Sequence, residues 1–177
     1  MGRNIGKARW KHRVLIIALS LVSVAFMPNQ AIPAAPSGEV FLWSKTVRAS
    51  VDEVMEAVRT GTGANNFPIS LVRDYGKTFS KRLKEVGKGE FRFVGYMIVE
   101  ACNVMLAIDI INIDPRMGAF MPCRLFLYQS KTGEEITVST VNPNFMAKVL
   151  NQPKLLPALA PLRKVMGDVF KELEYLQ

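Results

Sequence analysis

The most constraining feature of this sequence is a change in character near residue 35. The first acidic residue is Glu39, whereas five of the 23 lysines and arginines precede residue 14. About 140 residues then remain for a folded body, the size of one domain that can bury a core without disulfides or metals. We therefore predict a leader over residues 1–35 and a single domain over residues 36–177.

The leader has the three parts of a secretory signal. A basic start is followed by an apolar run over residues 14–27, then by Pro28 and the small residues of 31–35. As a helix this run would rise about 21 Å, short of the roughly 30 Å of a hydrocarbon core. We expect export with cleavage near Ala34, and an uncleaved membrane anchor is the alternative. In both cases the domain is predicted to be periplasmic or extracellular.

The charge of the chain gives little support to a nucleic-acid partner. The formal net charge is +8, but without the leader 18 basic residues stand against 15 acidic ones. Such a small surplus, spread over a domain, is not the clustered basic surface that binds a phosphate backbone. We expect no nucleic-acid partner, and membrane contact only through an uncleaved leader.

Hydrophobic periodicity predicts strands and helices that alternate at first and end in a hairpin and a helix. The predicted strands span residues 40–47, 69–75, 91–100, 124–129 and 136–141, and helices follow near residues 51, 76, 104 and 161. The first helix begins with the capping box Ser50-Val51-Asp52-Glu53. The pattern favours an α+β two-layer sandwich, in which helices pack on one face of a mainly antiparallel sheet.

Three local expectations follow from apolar residues and glycines. The helix over residues 104–113 is apolar on most of its surface, so it should be buried. Gly167 lies inside the last helix, where glycine costs about 1 kcal/mol relative to alanine, so we expect a close backbone contact there. Alternation predicts that Ile69 and Leu71 share one face of their strand.

The single histidine of the chain, His12, lies in the leader. The body therefore offers no imidazole for Ser-His-Asp or Cys-His catalysis, for a histidine-bearing zinc or copper site, or for haem ligation by histidine. Phosphate-binding Gly-rich motifs and a Cys-x-x-Cys motif are also absent from the sequence. These exclusions leave no assigned catalytic residue.

Cys102 and Cys123 are the main candidates for a functional site. One follows a predicted strand and the other opens a predicted strand, so we expect both at one end of the sheet. They could form a disulfide, which would close a loop of about 22 residues and stabilise the fold by roughly 3 kcal/mol. They could also be two inert buried thiols. A third interpretation is a site for a soft ligand such as Cu(I), haem iron or a sulfur species, with thioethers of Met105 and Met121 as further ligands.

Asn103 and Arg116 are candidate contacts for a substrate or an anion. Arg116 and Asp114 flank Pro115, where a local ion pair within a turn is the simpler role. The guanidinium of Arg116 would also suit a carboxylate or another anion, because its donors form a planar fork.

From Ser50 to its end, the chain resembles the family called domain of unknown function 302. The resemblance rests on four short motifs: Ala101-Cys102-Asn103, Asp114-Pro115-Arg116 with Gly118, Pro122-Cys123, and Asn142-Pro143. It implies a compact α+β domain, leaves a homodimer open and carries no established activity. The chain departs from the family pattern at Val104 and at Asn142, where the family often has proline and aspartate.

These observations lead to three functional hypotheses. The first is an exported binding or accessory protein, not an enzyme, with any site built around Cys102 and Cys123. The second is a thiol-redox enzyme in which the same cysteines cycle and either Arg116 or a helix amino terminus lowers a thiol pKa. The third is a structural protein that dimerises through its carboxyl-terminal helix.

Overall fold

The computed structural model describes residues 40–131 and 133–176. Our predictions for the leader fall on residues outside this part of the chain. None of the helices in the described ranges is long and apolar enough to cross a membrane.

Five antiparallel strands form one sheet in the order β1-β5-β4-β3-β2. The strands are β1 (Leu42–Val47), β2 (Ile69–Asp74), β3 (Phe93–Ala101), β4 (Cys123–Ser130) and β5 (Ile136–Val141). The helices are α1 (Val51–Gly63), α2 (Tyr75–Glu85), α3 (Val104–Ile113), α4 (Pro143–Val149), α5 (Leu155–Ala158) and α6 (Ala160–Glu172), with 3₁₀ turns at Pro115–Phe120 and Leu173–Leu176. The predicted α+β fold with an antiparallel sheet is confirmed.

The two faces of the sheet differ in what covers them. On the core face, Val99, Leu125 and Val138 are fully buried together with apolar residues of α1 and α6. On the opposite face, called the outer face below, aromatic residues of β3 and β4 are only partly buried. Helix α2 lies on this side, since its Phe79 packs against Tyr96 of β3 with ring centroids 6.3 Å apart. Alternation along the strands creates the two faces.

Helices α1 and α6 pack closely at Gly61. A Cβ atom at this position would lie 2.6 Å from the Cα of Val169, which is closer than two such atoms can approach. Gly167 has no neighbouring atom within 4 Å of the same hypothetical Cβ. The expectation of a close contact at Gly167 is therefore wrong. The close approach lies on the facing helix instead, because Gly167 is on the exposed side of α6.

Helix α3 has the predicted bounds, but the prediction that it is buried is wrong. Ile110 is its buried residue, whereas Val104 and Met105 are each 67% exposed and Ile108 is 46% exposed. The helix packs by one side at the edge of the helical layer, against α5 and the following 3₁₀ turn. Apolar composition predicted the helix, but burial depends on neighbours that lie far along the chain.

Strand β2 contains an irregularity that the sequence pattern did not reveal. Ile69 pairs with Ala101, but Leu71 pairs with Glu100, so the register shifts between them. Ile69 packs against the core, and Leu71 lies opposite an outer-face residue. The expected common face is therefore wrong, because a bulge reverses the alternation of side chains.

Substitution of the two glycines should change stability in opposite directions. We expect Gly61→Ala to lower the free energy of unfolding by about 1–3 kcal/mol, because overpacking forces α1 away from the backbone of α6. Gly167→Ala, the matched control, should raise it by about 1 kcal/mol through helix propensity. Denaturant unfolding measures both values. Equal effects of the two substitutions would contradict the close contact.

Candidate functional site

Cys102 and Cys123 lie at one end of the sheet. Cys123 opens β4 and pairs across the sheet with Ala101, the last residue of β3, and Cys102 follows directly. The backbone amide of Cys102 donates to the carbonyl of Pro68, 3.2 Å away, which ties this end of β3 to the start of β2. Both cysteines are free, so the candidate disulfide is not formed in this structure.

A small cavity lies beside Cys123, and we call it the Cys123 cavity. The pairing of β4 with β5 ends at Leu125 and Thr140, two residues short of Cys123. Beyond this point the Thr140 hydroxyl donates to the carbonyl of Arg124 at 2.8 Å. The cavity has a volume of about 80 Å³ and is lined by Ala119, Phe120, Cys123, Arg124, Phe126, Thr140, Val141, Met146, Leu162 and Met166.

Two methionines line this cavity together with Cys123. Met146 comes from α4 and Met166 from α6, and both are buried. The sequence analysis missed them as site residues, because they lie more than 20 positions from Cys123 and read as ordinary core residues of their helices. Met121 packs against the core, and Met105 is 67% exposed on α3. Neither of these two lines the cavity.

Burial keeps both thiols protonated near neutral pH. It raises the pKa of Cys123 to about 12, with a smaller contribution from the nearby Cys102 and an opposing one from a backbone hydrogen bond. Burial also raises the pKa of the Cys102 thiol. A thiol is a nucleophile and a metal ligand only as its thiolate. The arrangement therefore disfavours a reactive cysteine, although a metal ion could still displace the proton.

Asn103 has a structural role in the described chain. Its side-chain oxygen accepts a hydrogen bond from the amide of Leu106 at 3.0 Å, which caps the amino terminus of α3. Its side-chain nitrogen donates to the carbonyl of Asn66 at 3.1 Å. The amide thus links α3 to the loop before β2, and both of its ends are engaged.

Arg116 is engaged by its own turn. Its guanidinium donates to both carboxylate oxygens of Asp114, at distances down to 2.6 Å, and to the carbonyl of Leu150 at 2.9 Å. The hydrogen bonds from Arg116 hold the pKa of the Asp114 carboxyl below its ordinary value of 3.8, against the opposing effect of burial. This is the local ion pair that the sequence offered as the simpler role.

A cluster of the usual metal-binding side chains would be another indication of a metal site. Across residues 40–131 and 133–176, no three side chains of histidine, cysteine, aspartate or glutamate come together in a metal-binding group. A soft site here would therefore rest on thioether sulfur as well as on thiolate, which are the ligands that Cu(I) prefers.

Comparison with known proteins gives one family and one fold. Residues 43–173 match the family described as "Domain of unknown function DUF302". A crystal structure of an uncharacterized conserved protein DUF302 from Bacillus stearothermophilus is similar, with a TM-score of 0.62 and 21% sequence identity. The similarity covers 78% of this chain and 100% of that chain, and at this identity it shows the fold alone. No curated protein matches the chain.

The two thiols should differ in reactivity. At pH 8 a thiol with a pKa of about 12 has more than a thousandfold less thiolate than an ordinary cysteine. We expect a thiol reagent to modify Cys102 first and Cys123 only after unfolding. Mass spectrometry after timed labelling checks the order, with Cys102→Ser as the control. Rapid modification of both thiols in the native protein would contradict the burial of Cys123.

The Asp114–Arg116 pair should make stability depend on acid. A carboxyl whose folded pKa is lowered contributes stability above its ordinary pKa, and that stability is lost as the pH falls through the lowered value. We expect Arg116→Gln to lower the melting temperature at pH 7. Below pH 4, the melting temperature of this variant should fall less steeply with decreasing pH than that of the wild type. Arg82→Gln, which removes an exposed ion pair with Glu85, should leave both almost unchanged. Equal effects would contradict the prediction.

Proposed function

The chain belongs to the DUF302 family, and from that premise we propose that it is an exported binding protein that holds a soft metal ion in the Cys123 cavity. One observation carries the proposal: three sulfur-containing residues, Cys123, Met146 and Met166, line the same small cavity. Thiolate and thioether sulfur are soft donors, which suit Cu(I) among the common biological metals.

The size of the cavity favours a small ligand over a haem group. A volume of about 80 Å³ has room for a single ion or a few light atoms. Pockets for drug-sized ligands take roughly 300–1,000 Å³, so a haem group would not fit without rearrangement. A bare ion held by sulfur fits the space and the donor set together.

Proton release would accompany binding. The Cys123 thiol, with its pKa of about 12, must lose its proton to bind the ion, so affinity should rise with pH. The apolar residues of the lining would also limit the contact of water with the ion. The neutral thioethers add donors without further charge, which limits the cost of burying the complex.

Export is supported by the leader sequence. The basic start, the apolar run over residues 14–27 and the small residues before 36 form the pattern of a secretory signal. Thiol-redox catalysis is supported less well than binding, because burial raises the pKa of both cysteines instead of lowering it.

Titration of the anaerobic, reduced full-length chain with Cu(I) against a chromophoric competitor tests the proposal. We expect one ion per chain and a tenfold rise in affinity per pH unit between pH 6 and 8, because one proton leaves. Cys123→Ser should lower the affinity at least a hundredfold. Met166→Leu, which keeps the volume of the side chain, should lower it about tenfold.

Met105→Leu is the matched control, because Met105 is an exposed methionine outside the cavity. It should leave the affinity unchanged, and circular dichroism should show that every variant is folded. Binding that Cys123→Ser does not weaken, or no binding by the wild type, would refute the proposal.

A further inference from the structure

A second and larger concavity lies on the outer face of the sheet, and we call it the outer groove. It has a volume of about 490 Å³ and is lined by Phe41, Leu42, Ser44, Arg92, Phe93, Tyr96, Phe126, Tyr128, Ser139 and Val141. This volume falls within the range of small-molecule pockets. Most of the lining is aromatic or aliphatic, with few polar groups, as is usual in such sites.

Aromatic rings build one wall of the outer groove. The ring of Phe93 lies 5.6 Å from that of Tyr128 and 5.9 Å from that of Tyr96, measured between centroids. Phe41 stands on the other side and packs edge-to-face on Phe145, 4.9 Å away. Rings that are held by one another present a preformed apolar surface at low entropic cost.

The two serine hydroxyls between the aromatic sides of the outer groove, which we call its floor, are already paired with each other. The hydroxyls of Ser44 and Ser139 lie 2.9 Å apart and hydrogen-bond to each other. Nearby on the outer face, the Arg124 guanidinium donates to the Glu100 carboxylate at 2.9 Å. The floor therefore requires no hydrogen bonds from a ligand and can accept an apolar group.

Arg92 is different, because its charge is not neutralised by the residues that the structure describes. Its guanidinium stacks over the ring of Phe93, 4.8 Å from the centroid. No carboxylate within residues 40–131 and 133–176 forms an ion pair with it. The nearest acidic residue in the sequence, Glu90, pairs with Lys131. A positioned guanidinium beside an apolar groove is complementary to an anionic head group.

We propose that the outer groove binds an amphipathic monoanion, with its apolar body against the aromatic wall and its carboxylate on Arg92. A fatty acid is the simplest member of this class. The chemistry is independent of the Cys123 cavity: neither Arg92 nor Tyr128 lines that cavity, and the sulfur ligands do not line the groove. Each proposal can therefore fail without the other.

Calorimetric titration of the full-length chain with dodecanoate and with dodecanol tests the proposal, with both ligands below micellar concentrations. The two ligands share an apolar chain and differ in the charge of the head group, so the comparison separates the contributions of these two parts to the affinity. We expect dodecanoate to bind about ten- to hundredfold more tightly, as for a charge-assisted hydrogen bond. In Arg92→Gln this preference should disappear. Tyr128→Ser should weaken both ligands at least tenfold. Binding of either ligand to the apolar leader would be the same in every variant, so differences in affinity between variants report on the outer groove.

Arg59→Gln is the matched control, because Arg59 is an exposed arginine of α1, outside the groove. It should change neither affinity. Equal binding of both ligands by the wild type would overturn the proposal, and so would a preference that survives in Arg92→Gln. A dimer that persists in saturating dodecanoate and dissociates in Tyr128→Ser would also overturn it, because the outer face would then be a subunit interface.

Discussion

The pairing of β3 with β4 is the interaction on which the rest of the structure depends. In the middle of the sheet, its register is regular from Gly95 and Gln129 to Ala101 and Cys123, and it shifts between Gly95 and Phe93, which pairs with Ser130. One side of this ladder supplies the floor of the core, and the other supplies the aromatic wall of the outer groove. Its end places Cys102 beside Cys123. A slip of one residue would exchange the two faces, so the core, the groove and the cysteine site share one register.

Local chemistry made much of the fold predictable. The end of α3 before Pro115 was predictable, because a residue before proline leaves the helical region. The cap by Asn103 at its start was found only in the structure. The predicted bounds agree with the structure. The exposure of α3 could not be predicted, because it depends on how much of the helix α5 and the following turn cover. In the same way, the sequence shows glycines at positions 61 and 167, but it does not show which of them faces a neighbouring helix.

The candidate site was predictable only in part, for a related reason. Cys102 and Cys123 could be placed at one end of the sheet because each adjoins a recognisable strand. Met146 and Met166 line the Cys123 cavity because α4 and α6 place them in the core, and no local spacing encodes that arrangement. The cavity itself exists because β5 stops pairing with β4 at Leu125. The end of a ladder is a tertiary property, so sequence patterns alone could not reveal the space.

The two concavities differ enough in chemistry to serve different ligands, although they share part of a wall. Phe126 and Val141 line both of them, and each adjoins the last residue pair of β4 and β5, Leu125 and Thr140. The smaller space, about 80 Å³, is lined by one cysteine and two methionines, and the larger, about 490 Å³, is lined by aromatic residues and Arg92. A soft ion gains nothing from the rings, and a carboxylate gains nothing from thioethers. Because the shared residues are apolar, selectivity in each space must come from the groups that it does not share.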